Sequence, residues 1–507
     1  FFFFFSSIME STKLSASSAA AELVFLPMPG AGHINPTVEF ANLLTDRHRH
    51  LSCTIFIMHL PSFANATASG ISDVDSRTHR RVRFVHLPPT APAVMDDRTG
   101  TTSFMASMGA LIDTNKQSLR DGVAKLIAGS GSSASPRLAG IVLDMFCISM
   151  VDVADEFGVP AYLFYTSSAS ILGLSLHLQH LYDDGHEAFS QLLDSDAEVQ
   201  LPTFANTVHL GKLLPSPFTD PKELPHLTSL HRRYRGAKGI LVNTFEELEP
   251  RAMKFLLEGS PGTPPVYPVG PVINLAGDAA AAGNGEEGIL GWLDGQPPSS
   301  VVFLCFGSMG SFDAAQVREI ARGLEQSGHR FLWSLRRPPT GGGIHPDDYP
   351  DPEEALPEGF LRRTAEVGRV IGWAPQAEVL SRAAVAGFVS HCGWNSVVES
   401  VWFGVPIATW PMYAEQQVNA FLVARELGMA AEITVEYRKD VKKGNGNFLV
   451  TGEEVERGIR RLMEEGSQVR EKVRWMKEAS RKAVGTDGSS FTWVGRFIED
   501  MTRNMSS

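Results

Sequence analysis

The chain has 507 residues, 43% of them hydrophobic and 20% charged, and a formal net charge of −12. That length calls for two or more domains, and the acidic balance argues against a nucleic-acid partner or an anionic membrane surface. Cys53, Cys147, Cys305 and Cys392 stand far apart with no CxxC pair, which fits a reducing compartment and provides no zinc framework.

No apolar run approaches the roughly 18 residues that span a bilayer, so no integral membrane association is expected. With the reducing compartment read from the cysteines, the location is expected to be cytoplasmic. The opening "FFFFFSSIM" lacks a basic segment, and its Phe run is too short for a signal peptide. Residues 1–8 are read as translated leader with Met9 as the natural start, and residues 1–21 as a disordered extension.

Organised sequence begins with "ELVFLPMPG", a buried strand running into a Gly/Pro turn. "INPTVEFANLL" follows as a helix, with Asn35 expected as N-cap and Pro36 at the first helical position. "LSCTIFIM", "LAGIVLDMF" and "PAYLFYTSS" read as further strands, with the helix-like "CISMVDVADEFG" between the last two. Apolar strands alternating with helices indicate βαβ units and a parallel sheet.

The pattern pauses over 261–288, a stretch rich in Pro, Gly and Ala that is read as linker and surface loop. A second series then runs through "SSVVFLCFGS", "FLWSLRR", "RVIGWAPQ", "AGFVSHCG" and "VPIATWPM". "GGGIHPDDYPDPEE" reads as an exposed acidic loop and "SSFTWVGRFIEDM" as a closing helix. The expected division is 22–260, 289–485 and a terminal helix in 486–507. The fold class is α/β, two doubly wound halves facing a cleft, with ligands at the C-terminal strand ends.

Several motifs sit at those ends. "PGAGHINP" has Gly30 and Gly32 of a dinucleotide fingerprint, but Asn35 replaces the third glycine and no acidic residue follows the second strand. A nicotinamide-dependent oxidoreductase is therefore disfavoured. His33 is either a general base or a hydrogen-bonded loop histidine. Asp144 ends a strand of the same half and is either the orienter of His33 or a helix N-cap.

"HCGWNS" opens a helix, where unpaired N–H groups and the dipole favour an anion. Gly393 lets a phosphate approach the backbone; His391, Asn395 and Ser396 add donors, and Glu399 suits two ribose hydroxyls. In "GWAPQ", Trp373 can stack on a base and Gln376 can bond its edge or the ribose. Glu415 and Gln416 end another strand and suit sugar hydroxyls. The D-x-D pairs Asp73/Asp75 and Asp194/Asp196 lie in polar stretches away from strand ends and read as solvated loops, so no metal is expected; no other cofactor is expected either.

Together, "WAPQ", "HCGWNS", Glu399 and the closing "EQ" closely resemble the donor-binding signature of plant family 1 UDP-glycosyltransferases. "PGAGHINP", "VVFLCFGSMGS" and "LDMF" match the same family in order. The resemblance implies a GT-B fold of two Rossmann-like domains, the last helix packing on the first. Carried over by position, Trp373 stacks uracil and Gln376 and Glu399 hold uridine. Ser308, His391, Asn395 and Ser396 meet the pyrophosphate, and Trp394, Glu415, Gln416 and Thr166 contact the sugar.

Gln416 at the end of the signature goes with glucose. The implied reaction is inverting transfer from UDP-glucose to a hydroxyl of a small plant metabolite, a flavonoid or other phenolic first. A triterpenoid or a hormone such as abscisic acid is the alternative. The expected partners are a small-molecule acceptor and a UDP-sugar, and the chain is expected to be a monomer. A binding protein with a degenerate site is a rival from another class. The stretches around Met95, Phe104 and Leu172 are expected to line the acceptor pocket.

Overall fold

The structure, a computed structural model, describes residues 20–60, 80–89, 103–129, 136–185, 189, 191–193, 197–259, 262–275, 286–339, 345–435 and 449–506. The expected leader at residues 1–8, both D-x-D pairs and Met95 lie outside the described residues.

The first half contributes β1 (Ala21–Leu26), β2 (Leu51–Ile57), β3 (Val82–His86), β4 (Arg137–Asp144) and β5 (Ala161–Tyr165). A small antiparallel hairpin, β6 (Glu198–Gln200) and β7 (Thr207–His209), precedes β8 (Ile240–Val242) and β9 (Val266–Pro268). Seven of these strands form one parallel sheet in the order β3-β2-β1-β4-β5-β8-β9.

The second half contributes β10 (Val301–Cys305), β11 (Arg330–Ser334), the ribbon strands β12 (Arg336–Arg337) and β13 (Asp347–Asp348), β14 (Gly368–Ile371), β15 (Val385–Ser390), β16 (Ile407–Thr409) and β17 (Ala430–Glu432). Its main sheet is also parallel, in the order β14-β11-β10-β15-β16-β17. Helices covering both faces of such a sheet demand strands that are apolar throughout. Accordingly β1, β10 and β15 are buried along their whole length.

The strand order reverses between β1 and β4 in one sheet and between β10 and β15 in the other. At such a switch point the connections leave to opposite faces and open a crevice beyond the strand ends. Every candidate site residue after β1, β4, β10 and β15 therefore falls at a crevice.

Two local expectations are corrected. The first helix spans Ala31–Arg47 with Gly30, not Asn35, at its N-cap, and Pro36 lies inside it. Gly30 has φ 137°, a backbone geometry open to glycine, so the chain turns into the helix directly after β1. The linker expectation also started too early, because Val266–Pro268 pairs with Ile240–Val242 as the last strand of the first sheet. Its Pro and Gly neighbours hid a three-residue strand from a periodicity reading.

The closing helix spans Ser489–Ser506. Val494, Phe497 and Met501 share a core with Leu23, Phe25 and Phe40, so the helix packs on the first half. Each such buried side chain contributes about 1.5–3 kcal/mol. The Tyr267 hydroxyl donates to the Asp500 carboxylate at 2.7 Å, and the Asn504 amide donates to the Tyr162 hydroxyl at 3.1 Å.

Candidate active site

The first half brings His33 and Asp144 together from neighbouring strands. His33 is in the first turn of the helix after β1; Asp144 is the last residue of β4. His33 Nδ1 lies 2.7 Å from Asp144 Oδ2, while Asp144 Oδ1 accepts from the Phe146 backbone N–H at 3.0 Å. Asp144 is thus both turn cap and histidine partner, one oxygen for each.

The Asp144 side chain is 1% exposed and the His33 side chain 23%, so the pair is shielded yet reachable from the cleft. With Nδ1–H on Asp144, the lone pair is at Nε2. Burial opposes the imidazolium, but the Asp144 charge and hydrogen bond, aided by Glu415, outweigh it and raise the pKa above its usual value. The Thr166 hydroxyl lies 3.1 Å from the same Nδ1.

The second half gathers its candidates more tightly. Gln376 Nε2 donates to Ser396 Oγ at 2.8 Å and to Glu399 Oε2 at 2.7 Å, which joins "WAPQ" to the helix Trp394–Phe403. That helix begins at Gly393 with no side-chain cap, so its first N–H groups are open to an anion.

His391 is buried, and burial pushes its pKa down to about 4, so the ring is neutral near pH 7. A Cβ on Gly307 or on Gly393 would come 2.5 Å from His391 Nε2. Both glycines are therefore also room for the imidazole. Cys392 between His391 and Gly393 adopts φ 62°, a strained conformation held by the Ser390 hydroxyl accepting its N–H at 3.1 Å.

Ser308 lies beyond β10, exposed in the same cleft. Trp373 is 39% exposed, which makes its ring accessible for stacking.

The two halves meet at these groups. Trp394, 2% exposed, donates its indole N–H to the Asn243 carbonyl of the first half at 2.7 Å. Asn395 Nδ2 donates to the Gly32 carbonyl at 2.9 Å. The Ser168 hydroxyl donates to Asn419 Oδ1, whose amide N–H reaches the Cys392 carbonyl, both at 3.1 Å.

Glu415 is charge-coupled to His33, and burial raises its pKa. Gln416 is buried, its Oε1 accepting from the Met412 and Tyr413 N–H groups at 2.9 and 3.1 Å. A cleft of about 180 Å³ lies between the halves, lined by Gly32, Asn35, Ser308, Trp373, Gln376, His391, Asn395, Ser396 and Glu399.

Arg336 also lines this cleft and was not expected there. Its guanidinium carbon lies 5.3 Å from the Trp373 ring centre, and Nε bonds Asp348 at 2.8 Å. The acidic loop therefore supports the cleft through β13. Its signal, an Arg just past a strand end, was available in "FLWSLRR". Of the stretches expected to line the acceptor pocket, Leu172 is buried in the first core and Phe104 is exposed.

Residues 267–443 match the family model for UDP-glucoronosyl and UDP-glucosyl transferases. UDP-glycosyltransferase 71A15 of Malus domestica is 49% identical over 94% of this chain and 99% of its own length. The chain belongs to the UDP-glycosyltransferase family.

Another relative of this UDP-glycosyltransferase, UDP-glucose flavonoid 3-O-glucosyltransferase 6 of Fragaria ananassa, is 47% identical over 95% of the chain and 99% of its own length. The solved transferase from Siraitia grosvenorii in complex with UDP superposes with a TM-score of 0.81 at 46% identity, covering 95% of this chain and 99% of that one. UGT71G1 of Medicago truncatula, complexed with UDP-glucose, gives 0.79 at 37% identity, covering 95% and 98%. The GT-B expectation and the family expectation both hold. Among the described residues no helix is long and apolar enough to cross a membrane, and no three His, Cys, Asp or Glu side chains group to hold a metal ion.

Proposed function

We propose that this UDP-glycosyltransferase moves glucose from UDP-glucose to a hydroxyl of a flavonoid or other small phenolic, with inversion at the anomeric carbon. The observation that carries the reading is the His33–Asp144 pair, 2.7 Å apart at the crevice that faces the donor cleft. The flavonoid acceptor named for the Fragaria relative supports the acceptor class.

His33 Nε2 takes the acceptor hydroxyl proton. The oxygen attacks the anomeric carbon, whose bond to the phosphate oxygen breaks with its electron pair going to UDP. Asp144 stabilises the imidazolium, and the pair contributes about 10²–10⁴-fold. The uncapped helix start near Gly393 faces the charge that grows on UDP. Neutral His391, with Ser308, Asn395 and Ser396, donates to the pyrophosphate.

Trp373 carries the uracil. Gln376 and Glu399, already bonded to each other, take the ribose hydroxyls, and Thr166, Trp394, Glu415 and Gln416 surround the sugar. The four cysteines are buried free thiols, which fits the reducing conditions of a cytoplasmic location. Incubation with UDP-glucose and a panel of flavonoids, simple phenols, abscisic acid and triterpenoids, read by mass spectrometry, tests the reading. Glucosides of phenolics are expected; transfer confined to triterpenoids or abscisic acid overturns the acceptor class.

A further inference from the structure

Pro36 stands inside the helix Ala31–Arg47. Lacking an N–H, it cannot bond the carbonyl four residues back, which belongs to Gly32. A side chain from the other half takes that carbonyl instead: Asn395 Nδ2 donates to it at 2.9 Å. Gly32 directly precedes His33, so this bond fixes the turn that carries the base. Asn395 also lines the donor cleft, at the start of the helix Trp394–Phe403. Its Nδ2 carries a second N–H, and its Oδ1 is buried without a partner.

We infer that Asn395 is a positioning residue for His33, joining the donor to the base across the cleft. One N–H of its amide holds the Gly32 carbonyl. The other is open to a pyrophosphate oxygen of UDP-glucose, so this inference rests on the function proposed above. The amide is planar, and anchoring one N–H restricts the direction of the other. A donor oxygen bound to the second N–H stiffens the amide, and the amide stiffens the His33 turn.

The coupling path is short: phosphate oxygen, Asn395, Gly32 carbonyl, His33. Simple adhesion between the halves does not need it. Trp394 on Asn243 and Ser168 on Asn419 already tie them, and neither bonds the His33 turn.

The test uses the full-length enzyme at saturating UDP-glucose with two phenols of similar size. One is halogenated and ionises readily; the other is its unhalogenated counterpart. A general base matters most for the second. Asn395→Ala and Asn395→Ser are both assayed. Serine keeps a phosphate donor but is too short to reach Gly32, so its UDP affinity by calorimetry stays nearer the parent's.

In both variants kcat is expected to fall about tenfold more on the unhalogenated phenol than on the halogenated one. In a His33→Ala background that extra loss disappears, because the residue being positioned is gone. Equal losses on the two phenols, with the melting temperature unchanged, overturn the inference while leaving the function intact. Both phenols are taken from the acceptors that the parent enzyme glucosylates; a parent that transfers glucose to no phenolic overturns the function reading, and this inference falls with it. If Asn395→Ala loses its fold, the serine variant carries the comparison alone.

Discussion

Trp373, Gln376, His391, Ser396 and Glu399 all reach the cleft from the stretch between Trp373 and Gln416, whereas His33 and Asp144 are 111 positions apart. The two halves share a strand order over six strands and a switch point, yet one gathers most of its candidate residues locally and the other through the sheet. The difference follows from the ligands proposed for them. A UDP-sugar has a fixed outline, so one strand–turn–helix and its neighbour can supply most of the groups proposed to bind it, with Ser308 and Arg336 added from other strand ends. The proposed base and its partner need only two groups at the rim, and the sheet can bring these from distant parts of the chain.

The largest effect is expected at His33, the proposed base. His33→Ala is expected to lower turnover on weakly acidic hydroxyls by about 10²–10⁴-fold while UDP affinity by calorimetry barely changes. A large loss of UDP affinity would show that the halves do not divide the work.

Glu399→Ala strikes the other half. It removes the carboxylate that Gln376 holds at 2.7 Å. The apparent KM for UDP-glucose is expected to rise about ten- to hundredfold, the effect of one charged hydrogen bond. Steady-state kinetics with kcat little altered would place Glu399 in ground-state donor binding.

Asp144→Asn tests the coupling inside the first half by pH. His33 acts as a base only when neutral, so activity is lost as the pH falls through its pKa. Burial lowers that pKa, and Asp144 outweighs burial to hold it above the ordinary value. With the carboxylate gone, burial is opposed chiefly by Glu415, and the acid limb of the kcat profile is expected to move to lower pH. A limb that stays in place removes Asp144 from the role of charge partner.

The smallest effect is expected at Arg336. Its guanidinium lies 5.3 Å from the Trp373 ring centre and is braced by Asp348. Arg336→Ala removes one cation–π contact of about 0.5–1 kcal/mol, so UDP-glucose KM is expected to rise a few-fold with kcat unchanged. Quenching of tryptophan fluorescence by UDP provides an independent reading.

Much of the candidate donor cleft is readable from spacing because its groups are neighbours in sequence. Gln376 faces Ser396 and Glu399 across one strand and one turn, and a helix start after a buried strand is a local signal. The first helix was misread for an equally physical reason. Proline usually marks a helix start, and nothing local reveals that Gly30 turns the chain earlier or that Asn395 takes up the freed Gly32 carbonyl. The three-residue strand Val266–Pro268 was likewise invisible, since its only support is its neighbour β8.

Local sequence alone sets the alternating strand–helix order, the polar helix mouth at Gly393 and the chemical character of each candidate group. These follow from periodicity, turn residues and side-chain chemistry, all of which act over a few residues. Only the packing of the two sheets brings Asp144 to His33, puts the Trp394 indole N–H on Asn243 and sets the Asn395 amide on the Gly32 carbonyl. Those contacts join residues more than a hundred positions apart. They exist only after two sheets have set the distances between their strand ends.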